Sequence, residues 1–122
     1  MAVYVSIRGW IECDREQLTH IESVISKNVD GHYSGGWGFP DRPFNWTSFV
    51  FYGGDIQEGD VPWLYDQLKE IARLSVSDVD GPGIQGLFVA TSEVKGAVEW
   101  QIRDGGVHIV PIGEELRYLG PE

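Results

Sequence analysis

The sequence predicts an α+β domain: a mostly antiparallel sheet with two helices packed on one face, in a split βαβ-like order extended by a C-terminal hairpin. Three observations predict it. Two segments repeat apolar residues at helical spacing behind capping residues. Most other apolar residues alternate with polar ones at strand spacing. Near the C-terminus an Asp-Gly pair separates two such alternating runs, the signal of a tight hairpin. A chain of 122 residues, 42% hydrophobic and 12% aromatic, can fill one core but not two, so a single domain spanning 1–122 is expected.

In residues 3–12, Val3, Val5, Ile7 and Ile11 share one face of an alternating strand, with Ser6, Arg8 and Glu12 on the other. Gly9 interrupts the apolar row, which marks a bulge or the close crossing of another element. Asp14 then opens a helix, because its carboxylate can accept the free N–H groups of a first turn. Gln17 stands where a capping box needs the reciprocal acceptor. Leu18, Ile21, Val24 and Ile25 form the apolar stripe of that helix, which should end near Asn28. Residues 31–43 are dense in glycine and aromatics, and a strand is expected around 32–37.

Residues 44–52 read as a strand closed by Gly53-Gly54, and 55–59 as an acidic loop. Asp60 is placed to cap a second helix with Pro62 in its first turn. Leu64, Leu68 and Ile71 make the buried stripe of that helix, and Trp63 and Tyr65 border it. A loop over 75–83 leads to strands at 87–92, 97–103 and 107–111. Val94-Lys95-Gly96 makes the first connecting turn and Asp104-Gly105 the second.

Charge excludes more than it specifies. Nine Lys and Arg against nineteen Asp and Glu leave a formal net charge of −10. Such a surface repels phosphate backbones and anionic headgroups and attracts basic partners, so neither nucleic acid nor a membrane is expected as a partner. The start of the chain lacks the pattern of a secretory signal, no apolar run is long enough to span a bilayer, and Cys13 is the only cysteine. A reducing, cytoplasmic setting and a monomeric free state are the expectation.

Catalytic chemistry is weakly represented. Cys13 lies between a strand and a helix, where a helix N-terminus could lower its pKa, yet a lone cysteine there also serves as a small buried hydrophobe. His20, His32 and His108 are scattered and, with one cysteine, offer no paired metal-ligand spacing, so neither a metal nor a cofactor is expected. Asp78-Val79-Asp80-Gly81 starts like a calcium loop, but Pro82 takes the next ligand position and Val89 stands where the closing glutamate belongs. Gly31, Gly35, Gly36 and Gly38 lack the Gly-Lys-Ser/Thr of a phosphate loop.

Arg8-Gly9-Trp10 on the first strand, the helix from Asp14, the Gly35-Gly36-Trp37 loop, the Trp63-Leu64 helix and the closing Asp104-Gly105 hairpin give the chain an overall character. In that character it resembles the immunity proteins of bacterial polymorphic-toxin and contact-dependent growth-inhibition systems. The resemblance implies a small cytoplasmic antidote, without shared catalytic residues, that binds one cognate toxin domain, often a nuclease, and blocks its active site or substrate surface. The charge of −10 adds the expectation that this toxin is basic. On that reading Asp55, Glu58, Asp60, Asp78 and Asp80 are expected to stand where substrate phosphates would sit, with Trp10, Trp37 and Trp46 as anchors. Two other classes compete with it. One is a small enzyme or accessory subunit using Cys13 or a histidine. The other is a small-molecule-sensing domain with a glycine-lined dimer interface.

Overall fold

The computed structural model describes residues 3–40, 47–74 and 83–119. Strand β1 (Tyr4–Cys13) runs through the middle of the sheet and leads into helix α1 (Arg15–Lys27). The short strand β2 (Trp37–Gly38) and the long strand β3 (Ser48–Gln57) follow, then helix α2 (Val61–Arg73). Strands β4 (Gln85–Ser92), β5 (Gly96–Arg103) and β6 (Gly106–Pro111) complete the sheet. The spatial order is β2-β3-β1-β4-β5-β6, with every neighbouring pair antiparallel. Its first four members carry the split βαβ order, and the β5–β6 hairpin extends the sheet beyond β4.

Local chemistry explains why α1 begins where it does. The Asp14 carboxylate accepts the Gln17 backbone N–H at 2.7 Å, and the Gln17 side-chain oxygen accepts the Asp14 N–H at 2.8 Å. This is the capping box expected from sequence. At the other end the Asn28 N–H reaches the Ile25 carbonyl. Ile21 and Val24 of α1 meet Leu64, Leu68 and Ile71 of α2 in one cluster with Ile7, Ile11, Val50, Ile56 and Phe88 from the sheet. Each of these side chains contributes about 1.5–3 kcal/mol by leaving water. Gly9 lies in this layer opposite Phe88, and a Cβ there would stand 2.7 Å from the Phe88 ring and 2.1 Å from the Leu87 carbonyl. The close crossing is the reason for the glycine.

The fold departs from the sequence expectation at several points. Strand β3 does not stop at Gly53-Gly54: both glycines pair with β1, opposite Arg8 and Ile7, and the strand continues to Gln57. The ladder to β1 outweighs the weak strand preference of glycine. Asp55 therefore sits on a strand, and the expected acidic loop shrinks to a 3₁₀ turn over Glu58–Asp60. Residues 44–46 of the expected strand lie outside the described residues. Around 32–37 the chain forms a turn and a 3₁₀ segment, Ser34–Gly36, and only Trp37 and Gly38 join the sheet. Asp60 occupies the N-cap position of α2 without a capping hydrogen bond. It ends the preceding 3₁₀ turn with helical backbone angles (φ −101°, ψ −4°) instead of the extended ones a side-chain cap needs, and its carboxylate accepts the Tyr33 hydroxyl at 2.8 Å. Finally, a 3₁₀ helix over Glu114–Leu119 follows β6. Most of the 75–83 loop lies outside the described residues.

Candidate functional site

Both helices lie on one face of the sheet, so alternation along the strands leaves the even-numbered side chains of β1 on the other. Register then decides which side chains become neighbours there. Trp10 is flanked by Phe51 of β3 and Leu87 of β4, Arg8 by Gly53 and Val89, and Glu12 by Phe49 and Gln85. Trp10 is 37% exposed, Phe49 36% and Phe51 46%. The rings of Phe49 and Phe51 stack with centroids 6.3 Å apart. An apolar groove of about 490 Å³ runs beside Trp10, lined by Arg8, Phe51, Leu87, Val89 and Leu119 and floored by glycines including Gly36, Gly38 and Gly53.

The segment after β6 crosses part of this face. The Arg8 guanidinium and the Thr91 hydroxyl both donate to the Leu119 carbonyl, and the Gly113 N–H donates to the Glu99 carboxylate at 2.6 Å. Glu99 is buried, and its second oxygen accepts the Gln101 side-chain amide at 3.1 Å. On the far side of Trp10 a second depression of about 340 Å³ is lined by Glu12, Gln85, Leu87, Glu99, Gln101 and Arg103. The Trp10 indole N–H donates to the Glu12 carboxylate at 3.1 Å, and Arg103 is turned to Asp104 at 2.9 Å.

The residues expected to bind a partner are spread over several places. Trp10 and Asp55 share the outer face, but Asp55 lies four residues beyond Phe51 along β3, about 13 Å away, in a separate depression with Tyr4, Ser6 and Glu93. Glu58 pairs with Lys95 at 3.4 Å, and Asp60 holds Tyr33. Trp37 is half-buried. Its ring packs edge-on against Tyr52 at 4.9 Å, and its buried indole N–H has no hydrogen-bond partner among the described residues. Trp46, Asp78 and Asp80 lie outside the described residues. Trp100 is buried against Tyr65 at 5.3 Å, and the half-buried Trp63 donates its N–H to the Asn28 carbonyl at 2.8 Å.

Phe49, Phe51 and Leu87 were not singled out from sequence. The signal for the two phenylalanines was present: 49–52 reads Phe-Val-Phe-Tyr, apolar on both faces, where a strand with one wet face should alternate.

Enzyme-like features gain little from the geometry. Burial, with Asp14 and Glu22 adding, pushes the Cys13 thiol up to about 12. Its sulfur faces the Ser48 carbonyl at 3.6 Å. A depression of about 350 Å³ reaches Cys13, and no histidine is among its described lining residues. His20 and His32 are exposed, and His108 lies on β6 near the Arg103 carbonyl. Among the described residues, no three His, Cys, Asp or Glu side chains converge to hold a metal, and no helix is long and apolar enough to cross a membrane. Comparison with protein-family models, with curated proteins and with solved structures finds no match to this chain.

Proposed function

We propose that this chain is an immunity protein that binds and neutralises a cognate toxin domain, a basic nuclease, in the cytoplasm. It would act by occupying the active site or substrate surface of the toxin, with no catalysis of its own. One observation carries the reading. A strongly acidic chain keeps a cluster of large aromatic side chains, Trp10, Phe49 and Phe51, partly exposed on the sheet face opposite the helices, among the described residues. Solvent-exposed rings beside one another are costly unless something covers them, and tryptophan is enriched among the residues that anchor interfaces. A net charge of −10 attracts a basic protein and repels nucleic acid.

The test is co-expression with the polypeptide encoded immediately upstream. A stable complex that suppresses the toxicity of that polypeptide supports the proposal. Neither a complex nor protection of the host cell would sink it.

A further inference from the structure

The outer face of the sheet has two depressions that share Trp10 as a ridge, one apolar and one polar, the second lined by Glu12, Glu99, two glutamines and Arg103. In the polar one, the Glu12 carboxylate sits against the edge of the Trp10 indole, and among the described residues no cation is paired with it. The nearby cations are engaged by other groups: Arg103, at the rim of the depression, donates to Gln101 and pairs with Asp104, and Arg8 donates to the Leu119 carbonyl in the apolar groove. An indole face attracts cations, and a carboxylate beside it adds a charged acceptor. A guanidinium or ammonium group fits that place, and a bulky apolar side chain fits the neighbouring groove of about 490 Å³.

From this we infer that the contact surface for the toxin is the Trp10 ridge on the sheet face opposite the helices. It takes a protein segment that presents an arginine or lysine next to a large apolar residue. The inference rests on the function proposed above and names the chemistry of the partner at that surface. Asp55, Glu58 and Asp60 then act at a distance. Glu58 already pairs with Lys95 and Asp60 with Tyr33, so that cluster steers a basic partner more than it touches it. A second copy of the chain is a poor occupant, because two molecules of charge −10 repel each other.

The experiment uses the complex of the full chain with the toxin domain encoded upstream, and compares Trp10→Ala, Phe51→Ala, Glu12→Gln and Glu58→Gln. All four positions are exposed or half-exposed, so circular dichroism and urea midpoints close to wild type verify folding. Trp10→Ala should weaken binding roughly 30-fold or more, as for an interface anchor. Glu12→Gln should weaken it roughly 30-fold or more, mainly through faster dissociation, as when one partner of a buried charged contact is lost. Glu58→Gln should change affinity less than about 3-fold and act on the association rate. If the complex forms but Trp10→Ala, Phe51→Ala and Glu12→Gln all bind like wild type, the inference is overturned while the proposed function stands. If wild type forms no complex, the proposed function fails and takes the inference with it. A free chain that sediments as a dimer, and is split into monomers by Trp10→Ala, shows that a second copy occupies the ridge and overturns the inference as well.

Discussion

At Gly9 a missing side chain decides the spacing of two central strands. Adding one carbon there would place it 2.1 Å from a backbone oxygen of β4, so the backbone itself must move. Gly9→Ala should destabilise the fold by about 1–3 kcal/mol, read as a lower urea midpoint at unchanged slope. At Gly35 nothing lies within 4 Å of where a Cβ would stand, and φ there is not positive. Gly35→Ala should therefore be neutral or stabilise by up to about 1 kcal/mol.

Two buried acids give a pH signature on the same scale. Burial pushes Cys13 from an ordinary 9.0 up to about 12, and pushes Tyr52 from 10.0 to about 12 with Tyr33 and Asp30 adding. Between those limits the unfolded chain has lost protons that the folded chain keeps. Stability is thus fully present below pH 9.0 and falls as pH rises towards about 12. Urea midpoints measured from about pH 7 to 10.5 should hold steady and then drop, and Cys13→Ala should make the drop shallower. Iodoacetamide at about pH 8 should label Cys13 in urea and spare it in the native chain.

At the scale of elements, two aspartates that occupy equivalent positions before helices do different things. Asp14 closes a capping box, and Asp14→Ala should cost about 0.5–2 kcal/mol. Asp60 makes no cap bond and is used across space, tying the glycine-rich segment to the start of α2 through Tyr33. That hydrogen bond is the largest cause of a raised Tyr33 pKa. Asp60→Ala should accordingly lower the pH at which Tyr33 ionises, followed by ultraviolet absorbance, while leaving helix content by circular dichroism unchanged. The same Asp-before-helix pattern is legible at both sites, but only one has a Gln three residues on to complete the box; the other has Trp63 at that offset. Hairpin chemistry was equally legible. Asp104 and Gly105 adopt φ of 52° and 75°, the left-handed pair that a tight two-residue turn requires.

For the whole molecule, charge acts in two opposite directions. Its ion pairs, such as Lys95–Glu58 and Lys69–Asp66, are exposed and contribute about 0–1 kcal/mol each, too little to offset self-repulsion at −10. Raising salt from about 0.01 to 0.15 M shortens the screening length from roughly 30 to 8 Å. The free chain should then melt at a higher temperature, while its association with a basic partner slows. Scanning calorimetry and stopped-flow fluorescence across that range check the pair of effects, and a shared sign would contradict the electrostatic account.

The sequence by itself determined the elements and their ends wherever the cause is local. Helical spacing, the Asp14–Gln17 box and the Asp104-Gly105 turn act within a few residues and need nothing from the rest of the chain. Tertiary structure decided what depends on neighbours across the sheet. It carried β3 through Gly53 and Gly54, because a ladder to β1 supplies hydrogen bonds that no local preference reveals. It also turned Trp63 and Trp100 inward and left Trp10 beside Phe51. Alternation in a strand says which face is apolar, but not which residues of other strands stand beside its side chains. The apolar row of Val5, Ile7 and Ile11 already marks the face of β1 that the helices cover, and only register brings Trp10, Phe51, Leu87 and Glu12 together on the opposite face.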